Sequence, residues 1–155
     1  MSELSQQIQA DMVAAMKAHD DLTRSTLRMV ISAIKTEQVA GESARELTDD
    51  EVIAVLNREV AKRRDSAESY TSGNRPELAA KELAEIEVVQ RYLPADLTEA
   101  EVDAIISEEI AAVAAQTGAQ PSMKQMGLVM KAVTARVNGR AEGAKVAAKV
   151  KAALS

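Results

Sequence analysis

Apolar residues recur at three- and four-residue spacing along almost the whole chain, and no long stretch alternates as a half-buried strand does. Leu4, Ile8, Met12, Ala15 and Met16 fall on one face of a first helix over about residues 3–18, with Gln6, Gln7, Gln9, Asp11 and Lys17 elsewhere. Leu27, Val30, Ile31 and Ile34 mark a second helix, which Asp20 or Asp21 can cap and Gly41 can end. Thr48-Asp49-Asp50-Glu51 has the form of a capping box and opens a third helix. Val52, Ile53, Leu56, Val60, Ala67 and Tyr70 give that helix its apolar stripe as far as about Ser72. Pro76 suits the first turn of a fourth helix, where a missing N–H costs nothing, and Leu78, Leu83, Ile86 and Val89 form its apolar side.

Tyr92-Leu93-Pro94 marks a joint, because Pro94 disfavours helical geometry at Leu93. Thr98 to Glu101 repeats the capping box ahead of Val102, Ile105, Ile106, Ile110 and Val113. Gly118 to Pro121 is a loop. Ser122 and Gln125 open a sixth helix carrying Met123, Met126, Met130, Val133 and Val137, and Asn138-Gly139 ends it. Val146, Val150 and Leu154 define the seventh. The expectation is an all-α protein: a four-helix N-terminal domain over residues 1–93, then a three-helix C-terminal tail domain over residues 94–155.

Composition agrees with helix and removes several chemistries. The 155 residues hold 29 Ala, six Gly and three Pro, and neither Phe nor Trp, so the core is aliphatic. The absence of Cys excludes disulfides, thiolate metal sites and a Cys nucleophile. A single His, His19, excludes chemistry that needs two imidazoles. No apolar run reaches the ~18–20 residues of a membrane span, and the first residues do not pattern as a secretion signal, so a cytoplasmic protein is expected.

Charge is unevenly spread. Residues 1–119 carry 12 Lys/Arg against 23 Asp/Glu, whereas residues 120–155 carry seven Lys/Arg against Glu142 alone. The basic tail points to an anionic partner, with docking on the chain's own acids as the alternative. Two Tyr as the only aromatics leave no base-stacking platform, so nucleic-acid contacts would go to phosphate, sugar or shape.

Other candidate chemistry is less specific. Gly139 to Lys145 superficially resembles a phosphate loop, but the spacing is wrong, no Ser or Thr follows Lys145 and no strand precedes it. His19-Asp20-Asp21 reads as cap and surface rather than a metal site. Arg58, Lys62, Arg63 and Arg64 form a basic cluster, which i,i+4 partners such as Glu59 make a solvated helix face. Arg24 and Arg28 share a face and suit either an anionic partner or an internal bridge. Met123, Met126 and Met130 read as core filler, and the helix-interior Gly127 as a point where another helix comes close.

Several short elements together resemble the GatB/YqeY family, nearly end to end. They are Arg24-Ser25-Thr26-Leu27-Arg28; Lys62 to Ser66 with Tyr70 and Gly73; the stretch from Glu82 to Tyr92-Leu93-Pro94; Met126 to Ala132, similar to a G-x-V-M-K element; and Gly139-Arg140-Ala141. The resemblance implies a free-standing YqeY-like protein whose tail is similar to the module closing the B subunit of the glutamine-dependent Asp/Glu-tRNA amidotransferase, a module that touches the body of tRNA. Glu142-Gly143 stands where such tails often carry Asn-Pro. The resemblance therefore implies a tRNA-binding or amidotransferase-associated accessory protein with neither catalytic centre nor cofactor. The partners expected are tRNA and the aminoacyl-tRNA or amidotransferase machinery. The alternatives are a protein-interaction adaptor, or a component of a carbon–nitrogen ligase with glutamine as amido donor that acts only in complex. Lys131 and Arg140 are the leading candidates for phosphate contact, with Lys124, Arg136, Lys145 and Lys149 as secondary donors. Gly127 permits close approach and Gly139 ends a helix.

Overall fold

The computed structural model describes all 155 residues as seven α-helices and one short 3-10 turn, without a strand. The chain divides into two compact units, Met1–Leu93 and Pro94–Ser155.

In the first unit, α1 (Glu3–Lys17) and α2 (Asp21–Gln38) pack together, and α3 (Asp49–Ser72) and α4 (Pro76–Gln90) close the bundle. Each helix starts where local chemistry satisfies exposed N–H groups. Ser2 accepts from the Ser5 amide, and Asp20 accepts from the Thr23 amide at 3.2 Å. His19 takes a left-handed φ of 57° in the turn before it, so the His19-Asp20-Asp21 stretch is a helix junction. Thr48 and Glu51 complete the reciprocal box, and Pro76 sits in the first turn of α4. Gly41 does not end α2: the helix stops at Gln38 with Val39 as its cap, and the glycine lies beyond.

Ile8, Leu27, Val30, Val52, Leu56, Val88 and Val89 are almost wholly buried at the centre of this unit. Each contributes about 1.5–3 kcal/mol by leaving water. At the end of α4 the Tyr92 hydroxyl donates to Asp11 Oδ2 at 2.6 Å, tying the last turn to α1. Burial and the neighbouring carboxylate push the Tyr92 hydroxyl pKa well up.

Two expectations fail on α3 and α4. Leu83 is 52% exposed, while Glu85 is buried. Arg63, expected on a solvated face, is only 5% exposed. The two corrections have one cause. α4 is turned so that Glu85 meets Arg63 on α3, with Nε donating to Oε2 at 3.1 Å. Arg63 Nη1 also donates to the Glu59 carbonyl at 3.1 Å and lies 3.6 Å from Glu59 Oε1. Arg58, Lys62 and Arg64 remain exposed as expected.

In the second unit, α5 (Glu99–Thr117) packs on α6 (Met126–Val137) and α7 (Gly143–Leu154). Thr98 caps α5, and Gly118 ends it at φ 73°. Ser122 and Gln125 close a box around a 3-10 turn, Met123–Gln125, rather than around the α-helix itself. That turn lifts Met123 out of the helical register, so it is 42% exposed and not core filler, while Met126 and Met130 are half-buried. Asn138 (φ 43°) and Gly139 (φ 78°) end α6 in consecutive left-handed conformations. Val102, Ile106, Val113, Val129, Val133, Val137, Val146, Val150 and Leu154 make this unit's core.

Removing one member of a buried ion set leaves its partners unpaired, a loss of about 3–5 kcal/mol. Arg63→Ala is therefore expected to cost that much in urea unfolding, against about 0.5 kcal/mol or less for the exposed Arg64→Ala. Hydrogen bonds from Arg45 and then from the Thr48 amide depress the Glu51 carboxyl from its ordinary 4.5 to about 2. A depressed carboxyl stabilises the fold above its unfolded pKa and loses that effect as pH falls through the folded value. The melting-temperature gap between the natural chain and Glu51→Gln is thus expected to hold at pH 7 and close between about pH 4.5 and about pH 2. Both experiments read thermal or denaturant melts by circular dichroism.

Candidate functional site

The second unit carries the six cations expected to contact phosphate, Lys124, Lys131, Arg136, Arg140, Lys145 and Lys149, and the fold treats them unequally. Arg136 bridges two acids of α5, reaching Glu108 Oε2 at 2.8 Å and Glu109 Oε1 at 3.1 Å. Lys149 Nζ lies 2.8 Å from Asp103 Oδ1, also on α5. The hydrogen bonds to these carboxylates raise the pKa of both cations. Lys145 lies 3.6 Å from Glu142, one turn away on its own helix. Arg140 has a backbone partner instead. Its Nε donates to the Ala95 carbonyl at 2.8 Å, and its own carbonyl accepts from the Leu97 amide at 2.7 Å. It thereby fastens the segment leading into α5 to the turn between α6 and α7.

Four of the six cations therefore have internal partners. The arithmetic follows the fold rather than the chain. Residues 94–155 hold seven Lys/Arg and seven Asp/Glu, so the unit is neutral as a whole. The sequence displays the cations as a run because their counter-ions, on α5, lie earlier in the chain.

Lys124 and Lys131 are the exceptions: both are exposed and neither forms an ion pair. Val129, Val133 and Val137 turn α6 inward, which leaves Gly127, Leu128, Lys131 and Ala135 on the outward face, with Lys124 just before it. The two lysines are about 11 Å apart along the chain axis, at roughly 2.0 Å per residue through the 3-10 turn and roughly 1.5 Å along α6. A methyl group added at Gly127 would meet nothing within 4 Å, so the expected helix contact is absent. The glycine's cost of about 1 kcal/mol relative to Ala has no compensation inside the fold. Leu128 on the same face is 47% exposed.

Arg140, Lys145 and Lys149 do come together around a hollow of about 280 Å³, but Asp96, Glu99 and Glu142 line it with them. Its charge is mixed. The stretch from Gly139 to Lys145 spans the end of α6 and the start of α7, a helix boundary as expected.

The first unit bears a larger groove, of about 570 Å³, which sequence reasoning missed. Met29 and Ala33 of α2, Glu59 and Arg63 of α3, and Glu82 and Glu85 of α4 are among its lining residues. Nearby, Arg24 is held 3.3 Å from Asp21, and Arg28 is exposed. The only signal for the groove's charged floor was the spacing of Glu59 and Arg63, which a surface ion pair produces equally well.

Curated relatives from yeasts share part of this chain. The protein named "Altered inheritance of mitochondria protein 41, mitochondrial" from Lachancea thermotolerans is 32% identical over 103 residues, 64% of this chain and 54% of the relative. Its counterparts in Vanderwaltozyma polyspora and Saccharomyces cerevisiae are 33% and 30% identical over 88 residues, 56% of this chain and 46% of each relative. The chain thus spans about half the length of the curated relatives it matches. No helix of the structure is long and apolar enough to cross a membrane. The family model described as "Yqey-like protein" matches residues 5–154, covering both helical units, and the chain belongs to that YqeY-like family.

Proposed function

We propose that the chain is a cytoplasmic tRNA-binding accessory protein of the tRNA-amidotransferase kind, without a catalytic centre. Its Pro94–Ser155 unit is a separately folding tail domain that meets RNA on the outward face of α6. One observation carries the reading: of the six tail candidates for phosphate contact, Lys124 and Lys131 have neither an acid nor a backbone partner, Lys131 lying with Gly127 on that face and Lys124 in the exposed turn leading into it. An ammonium group already bound to a carboxylate must lose that partner before it can take a phosphate. An unpaired one has no such cost. Gly127 adds an open stretch of backbone that a sugar–phosphate chain can approach closely.

The contacts are to phosphate and sugar, because aromatic side chains for base stacking are absent from this unit. Arg140 acts on the unit's own backbone, and Arg136 and Lys149 hold α5, so their contribution to binding is indirect. Any part the protein plays in glutamine-dependent carbon–nitrogen ligation is as a component of a complex. The interface rests on α6, away from Glu142-Gly143, where the sequence departs from tRNA-contacting tails.

Filter binding of bulk tRNA across a salt series tests the reading. Two phosphate contacts give a log–log salt slope near −2, and each of Lys124→Ala and Lys131→Ala reduces it by about one. Arg136→Ala leaves the slope unchanged. Absence of salt-sensitive binding, or an equal effect of all three changes, would overturn the proposal. Gly127→Ala separates stability from recognition: it raises the unfolding free energy by about 1 kcal/mol and at the same time weakens tRNA binding.

A further inference from the structure

Charged side chains are almost never fully buried unless paired. Glu59, Arg63 and Glu85 are 7%, 5% and 5% exposed, and all three line the groove of the first unit. With Lys62 on Glu59 and Arg63 on Glu85 the buried carboxylates are matched, and the whole lining sets four carboxylates (Glu37, Glu59, Glu82 and Glu85) against three cations (Arg58, Lys62 and Arg63). The groove's own cations are already engaged. Arg58 pairs with Glu37 at 2.8 Å, Lys62 reaches Glu59 from the rim at 3.2 Å, and Arg63 serves Glu85 and the Glu59 carbonyl. Glu82, one turn before Glu85 on α4, lines the same groove and forms no ion pair. Met29 and Ala33 form an apolar wall on α2, and Met29 is 40% exposed.

We propose that this groove docks a basic segment of a partner protein. One Arg or Lys side chain seats against Glu82 and Glu85, with its aliphatic stem along Met29 and Ala33. Charge complementarity selects this occupant. Glu82 is the groove carboxylate without a cation, and residues 1–93 hold 12 Lys/Arg against 17 Asp/Glu, a net of −5 that attracts basic chains and repels RNA. The apolar wall suits a long side chain that buries its stem and presents its charge at the tip. A volume of about 570 Å³ accommodates that side chain with its flanking peptide. The site shares no residue with the outward face of α6, so each proposal stands or falls separately.

The ε-methyl resonance of Met29 in the full chain reports the test directly. It is titrated with an alanine-based octapeptide carrying arginines, with the same peptide carrying glutamines, and with bulk tRNA. The expected result is a saturable shift with the arginine peptide alone. Glu82→Gln weakens this binding about five-fold, the scale of one partly exposed ion pair. Glu87→Gln, an exposed change on the same helix outside the groove, leaves it unchanged. No saturable shift, equal binding of the glutamine peptide, equal weakening by Glu82→Gln and Glu87→Gln, or a shift with tRNA in place of the peptide would each overturn the proposal.

Discussion

The acids of α5 serve as built-in counter-ions for the cations of α6 and α7. Glu108, Glu109 and Asp103 take up Arg136 and Lys149, and a strongly basic chain segment becomes part of a neutral folded unit. These exposed pairs do not hold the fold together, since each is worth about 1 kcal/mol or less. The valine-rich core does that. What the pairs change is which cations face solvent without a partner. They withdraw Arg136 and Lys149 from the pool of free cations and leave Lys124, Lys131 and Lys151 exposed without a carboxylate partner.

The first unit uses charge differently. Its Glu59–Arg63–Glu85 set is buried, and breaking it costs far more than breaking a surface pair. The set also fixes how α4 lies on α3, because only one rotation of α4 brings Glu85 to the guanidinium while keeping Ile86 and Val89 in the core. Leu83 is exposed as a consequence. An arrangement that exchanges a leucine for a glutamate on the inward side gives up hydrophobic burial. A site that reads charge from the groove side accounts for that exchange.

Local chemistry made most helix boundaries legible in the sequence. The Thr48–Glu51 box, Pro76, the Thr98 cap and Asn138-Gly139 each act within one turn, and each appears where its residues predict. Tertiary pairing was less legible. Arg63 and Glu85 are 22 residues apart, and nothing in either helix alone distinguishes them from surface charges. The pairing of Arg136 with Glu109 spans 27 residues, so counting charge along the chain overstated the cationic tail. Gly127 was misread for a related reason: a helix-interior glycine signals close approach, but not whether the neighbour lies inside the chain or outside it.

Site-resolved acylation of lysines in the native chain measures internal neutralisation most directly. Rates are read by mass spectrometry at near-neutral pH, where only the deprotonated amine reacts. The bond to Asp103 raises the pKa of Lys149 and covers its amine. Internal pairing therefore predicts that Lys124 and Lys131 are modified faster than Lys149, with the difference vanishing after unfolding. Equal native rates for Lys131 and Lys149 would contradict it.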